Sequence, residues 1–129
     1  MLTEGALTGG DAEAAGREAL ARLHRFGGAG LVRDLSAILL EDVPARLAAA
    51  RAAAHRGDAR AVQLAVHSVK SSCAQFGAAA VAVLCDEAER AARAGDLVDV
   101  PATLDRIEGR FGAFRGWLEH EVALSVERE

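Results

Sequence analysis

At 129 residues the chain has room for one domain around one hydrophobic core. Hydrophobic residues make up 51% and charged residues 26%, which excludes wholesale disorder, and a net charge of −4 lacks the basic surplus that binding a phosphate backbone requires. Thirty alanines with no tyrosine and four phenylalanines favour helix over sheet, because strands want aromatic and β-branched side chains.

Residues 1–10 lack periodicity and read as a flexible tail, followed by a single helical domain over 11–129. Asp11 can cap a first helix that turns Ala19, Leu20 and Leu23 inward and stops at Gly27-Gly28. Leu31, Leu35, Ile38 and Leu39 then recur at helical spacing, and Pro44 either kinks this helix or restarts it, with Leu47 and Ala50 inward before Gly57. Asp58 caps the next helix, about Ala59 to Phe76, whose Val62, Val66, Val69, Cys73 and Phe76 form a narrow buried seam. Gly77 ends it. A helix over about Ala78–Ala94 carries Val81, Leu84, Cys85, Ala88 and Ala92 inward, and Gly95 stops it. The last helix, about Leu97 to Val126, repeats the pattern through Leu104, Ile107, Phe111, Phe114 and Leu118. Short linkers between these helices force antiparallel neighbours, so the expected fold is all-α: an up-and-down antiparallel four-helix bundle with an additional N-terminal helix. No segment reaches the length of a membrane span and the first residues lack a signal-peptide pattern, so a cytoplasmic location is expected.

A bundle of this kind does not name its chemistry. A di-metal centre would need Glu-x-x-His motifs, and no glutamate here has a histidine three residues on. Cys73 and Cys85 lie on apolar seams and read as small buried hydrophobes rather than zinc ligands. Neither a glycine-rich phosphate loop nor a serine nucleophile elbow occurs, so nothing in the chain suggests kinase activity of its own. Among the four histidines, His24 and His55 lie near arginine-rich helix ends and His120 lies between two glutamates, all ordinary surface settings. His67 differs: it lies about 140° from the seam, mid-helix, so its ring faces solvent on a rigid element. Lys70, the single lysine beside 14 arginines, shares its face, and the small Ser71 and Ala74 continue that face.

The run from His67 through Lys70, Ser71, Ser72 and Gln75 to Gly77 and Ala78 resembles the signature of histidine phosphotransfer (HPt) domains. In that family a phospho-accepting histidine is followed by lysine at three, small residues at four to six and glycine at ten. The resemblance extends over nearly the whole chain, with Glu41-Asp42 on the preceding helix and Glu89 to Asp96 reading like neighbouring family segments. One departure is Ser71, where the family usually has glycine.

The resemblance implies a phosphocarrier that relays a phosphoryl group between receiver-domain aspartates through His67. An imidazole is mostly neutral at pH 7, with a nucleophilic nitrogen available. Lys70 is expected to stabilise phosphoryl charge. In the chemotaxis-kinase branch a glutamate at the offset of Glu89 accepts a hydrogen bond from the other ring nitrogen. Ten residues back from Gly77 reaches His67 and twelve forward reaches Glu89, so antiparallel packing sets them at similar height; the alternative pairs Glu89 with Arg93 in solvent. Gln63, Ser71, Ala74, Gln75 and Gly77 are the expected partner-binding residues. The expected partners are a response-regulator receiver domain and a hybrid sensor histidine kinase, with Mg²⁺ on the receiver and no cofactor in this chain. The competing reading is a helical adaptor that binds a signalling partner without carrying phosphate.

Overall fold

The structure is a computed structural model that describes residues 9–127. Among the described residues it contains four helices, α1 (Gly9–His55), α2 (Ala59–Gln75), α3 (Ala79–Arg93) and α4 (Val100–Glu127), and no strand. The expected tail over 1–8 lies outside the described residues, whereas Gly9 and Gly10 already begin α1, which places Asp11 inside the first turn rather than ahead of it.

α1 is two helices joined at Gly28, whose backbone (φ 73°, ψ −171°) no other residue type adopts cheaply. The break is there and not at Pro44, which sits inside the second arm. Proline there forfeits one backbone hydrogen bond. Buried Leu39, Val43 and Leu47 clamp the arm against the core on both sides, and Pro44 itself faces solvent, so the helix runs on.

The second arm of α1 with α2, α3 and α4 makes the antiparallel bundle, each helix packed on its two sequence neighbours and α1 closing against α4. The α2 seam of Val62, Val66, Val69, Cys73 and Phe76 and the α3 seam of Val81, Leu84, Cys85, Ala88 and Ala92 are buried, as their spacing requires. Leu104, Ile107, Phe111 and Leu118 complete the core from α4, with Phe114 partly buried beside them. α4 starts three residues later than its apolar pattern suggested. Asp96 accepts from the Val98 backbone N–H in a turn, and Pro101 takes the early helical position where its missing N–H costs nothing.

The turns use one device three times. Asp58 N–H reaches Ala53 C=O while Gly57 N–H reaches Ala54; Ala78 and Gly77 do the same to Cys73 and Ala74, and Asp96 and Gly95 to Ala91 and Ala92. This double bond satisfies the last carbonyls of each helix with a left-handed residue at its end. Asp58 Oδ1 then accepts from Ala61 N–H at 3.1 Å, capping α2. The first arm of α1 crosses the α2–α3 end of the bundle, with Ala19 and Gly16 buried there. Its backbone lies so close to Gly77 that a Cβ on that glycine would sit 2.3 Å from the Ala15 carbonyl oxygen.

Candidate functional site

The site is built on two adjacent antiparallel helices. α2 holds Val66 and Val69 in the core, which turns His67 outward with its side chain 57% exposed. On α3, Cys85 and Ala88 are buried, and Glu89 lies at the edge of that seam, its side chain only 4% exposed. An unpaired carboxylate at that depth would be costly, so it must be met by donors. His67 Nδ1 lies 2.6 Å from Glu89 Oε2, and Lys70 Nζ donates to Oε1 at 2.5 Å. Arg93 approaches Oε2 at 3.5 Å. Glu89 thus contacts both His67 and Arg93, and its carboxylate is buried rather than in solvent as the Arg93 alternative had it.

Burial by itself would push the Glu89 carboxyl up. The hydrogen bonds from Lys70 and His67 outweigh it and hold the group below its ordinary value. Lys70 is held above its ordinary value by the hydrogen bond to Glu89, against the opposing effect of burial, with a further contribution from Asp86. Its side chain is 26% exposed and its ammonium is already engaged by two carboxylates, Glu89 and Asp86, the latter at 3.4 Å. Lys70, expected to stabilise phosphoryl charge, is therefore tied to Glu89 and Asp86. Asp86 also holds Arg90 at 3.1 Å.

With Nδ1 engaged, Nε2 is left without a hydrogen-bond partner among the described residues. A carboxylate on Nδ1 favours the Nδ1–H tautomer and leaves the Nε2 lone pair directed outward. The geometry supplies an oriented, accessible nitrogen nucleophile.

Around it, Ser71, Ala74 and Gln75 are exposed and Gln63 is half-buried, all on α2 near His67. Gly77 does not join that open face, because the first arm of α1 lies over it. Sequence reasoning passed over two residues. Leu64, 56% exposed, sits one turn before His67, legible from its three-residue spacing to the histidine. Asp86 precedes Glu89 by three on α3 and lies level with Lys70, a placement readable only once the α2–α3 pairing is accepted.

His24, His55 and His120 are exposed, as their settings implied. Cys73 and Cys85 are buried free thiols, each pushed up to about 12 by burial, and so are chemically quiet. Among the described residues no cluster of three or more His, Cys, Asp or Glu side chains forms a metal site, and no helix is long and apolar enough to cross a membrane. A groove floored by Leu47, Ala48 and Phe111 opens between α1 and α4, lined by neither of the site helices.

Residues 34–120 match the family model of the Hpt domain. The chain is also similar to the crystal structure of histidine-containing phosphotransfer protein B (HptB) from Pseudomonas aeruginosa PAO1. The identity is 30% and the TM-score 0.75, over 82% of this chain and 91% of that one. Among curated proteins none matches the chain.

Proposed function

The chain belongs to the Hpt domain family, and from that premise we propose that it carries histidine phosphotransfer in a phosphorelay through His67. The observation that supports His67 is the buried Glu89 carboxylate on Nδ1, which leaves Nε2 as the free nitrogen of an exposed ring.

In the reading proposed here, the Nε2 lone pair attacks the phosphorus of an aspartyl phosphate on a receiver domain. The new P–N bond forms as the P–O bond to the aspartate breaks, and the released carboxylate keeps the electron pair. The ring gains positive charge during attack, and that charge is shared with Nδ1–H. Glu89, held ionised by Lys70, lies against that proton and stabilises the developing charge or accepts the proton outright. Glu89 thus orients the ring and Lys70 keeps Glu89 charged. Transfer onward reverses these steps.

Hpt domains interact with receiver domains, and the α2 face of Leu64, Ser71, Ala74 and Gln75 offers one apolar side chain among small and polar ones. Ser71 is small enough to leave the approach to Nε2 open. We place the Mg²⁺ on the receiver, where it would neutralise the aspartyl phosphate, and a hybrid sensor histidine kinase upstream. The setting would be cytoplasmic.

Incubation with a phosphorylated receiver domain tests the proposal. Acid-labile, base-stable phosphate on His67 is expected; label on another histidine, or none on the protein, rejects it.

A further inference from the structure

Two cations flank His67, and the carboxylate between them treats them differently. Among the described residues Glu89 Oε1 is bonded by Lys70 alone, at 2.5 Å, whereas Oε2 is shared by His67 Nδ1 at 2.6 Å and Arg93 at 3.5 Å. If Lys70 left, a buried oxygen would lose its donor, and Asp86 would lose a partner as well. If Arg93 left, Oε2 would keep its bond to His67. Arg93 is also the more accessible, 58% exposed, and its contact is the longer one. Because Oε2 keeps the His67 bond, exchanging this partner leaves no buried carboxylate oxygen without a donor.

Position supports the same division. α2 and α3 run antiparallel, so Lys70 and Asp86 lie on one side of the His67–Glu89 level, and Arg93, one turn beyond Glu89, lies on the other. Arg90 is committed to Asp86 on the Lys70 side. On the far side, Arg93 has a planar guanidinium whose paired N–H groups match phosphoryl oxygens.

We propose that Arg93, rather than Lys70, is the cation that contacts a phosphoryl group on His67 Nε2, exchanging Glu89 Oε2 for phosphoryl oxygens. Lys70 stays in place as the counter-ion of Glu89. The groups that surround the phosphoryl position are then Glu89, Asp86, Lys70, Arg90 and Arg93, of which Arg93 alone changes partner.

This assignment rests on His67 as the acceptor, which one arm of the experiment checks separately. The full chain is phosphorylated with phosphoramidate, whose P–N bond breaks to release ammonia as the bond to Nε2 forms, and is followed by ³¹P NMR. A phosphohistidine resonance in the wild type that is lost in His67→Gln establishes the acceptor; its absence from the wild type, or persistence in the variant, defeats the proposed function itself. With the acceptor established, the ionisation of the phosphoryl group is titrated in Arg93→Ala, Arg93→Lys and Lys70→Ala, each checked for helical circular dichroism. A contacting cation favours the dianion, so Arg93→Ala moves the ionisation to higher pH and Arg93→Lys restores part of the shift. Arg93→Ala also lowers the phosphorylated fraction at equilibrium with a phosphorylated receiver by about 2- to 5-fold. Lys70→Ala leaves the phosphoryl ionisation in place and alters the ¹⁵N shifts of the imidazole through Glu89. An ionisation unmoved in Arg93→Ala, or moved as far in Lys70→Ala, overturns the assignment.

Discussion

His67 and Glu89, 22 residues apart in the chain, meet across the α2–α3 pair with Nδ1 2.6 Å from Oε2, one side chain more than half exposed and the other buried. The buried partner anchors the exposed one. A histidine on a helix surface samples several rotamers, and fixing its inner nitrogen to a group that cannot move selects one ring orientation and one tautomer.

Removal of the ring should separate function from stability. His67→Gln is expected to abolish phosphate uptake, while unfolding free energy falls by no more than about 1 kcal/mol, because Lys70 and Arg93 still serve Glu89. Phosphate assay and urea denaturation on the same preparation provide the check. A large loss of stability would mean that the ring is structural.

Glu89→Gln should release the tautomer. We expect the ¹⁵N spectrum of His67 to show a larger share of the Nε2–H form, together with slower phosphate acceptance. An unchanged tautomer ratio would remove Glu89 from the site. The same substitution leaves the half-buried Lys70 with Asp86 alone and should cost about 1–3 kcal/mol.

The Glu89–Lys70 pair sets a pH window. Glu89 is held below its ordinary value of 4.5, so its contribution to stability is present above that pH and is lost as pH falls through the lowered value. Lys70 is held above its ordinary value of 10.5, so its contribution is complete below that pH and is lost as pH rises through the raised value. The stability difference between wild type and Glu89→Gln, measured by urea unfolding across pH, should be flat between these limits and shrink on either side. A difference that grows on acidification contradicts the assignment.

Gly77 should be the least replaceable of the turn glycines. Gly77 and Gly95 both have positive φ, but a Cβ at Gly95 meets open space and one at Gly77 meets the Ala15 carbonyl. Gly95→Ala is expected to cost about 1 kcal/mol of backbone strain, and Gly77→Ala about 1–3 kcal/mol as the first arm of α1 is displaced. Equal melting shifts in the two variants would show that this contact contributes nothing.

Cys73 and Cys85 should resist thiol reagents in the folded protein. Burial pushes both thiols up to about 12, which leaves almost no thiolate at neutral pH. Reaction with an aromatic disulfide should follow the urea unfolding curve. Rapid native labelling would place one of them nearer the surface.

Helix periodicity made most of the bundle legible from the residues alone. The seams of α2 and α3, the Asp58 cap and the three glycine stops depend on contacts within a few residues, and such contacts are written in spacing and side-chain type. The outward face of His67 follows from the same arithmetic, since the valines beside it must point inward. The packed helices decided what periodicity leaves open. Proline and glycine both break helices, and the buried Leu39, Val43 and Leu47 hold α1 helical through Pro44, while at Gly28 the glycine backbone adopts the positive φ that parts the two arms. The depth of Glu89, the capture of Lys70 by two carboxylates, and the close approach of Ala15 to Gly77 all join residues from different segments of the chain. Their geometry depends on how far each helix is rotated and shifted against its neighbour. That rotation is set by the fit of whole faces across the core, a property of no single segment of the chain.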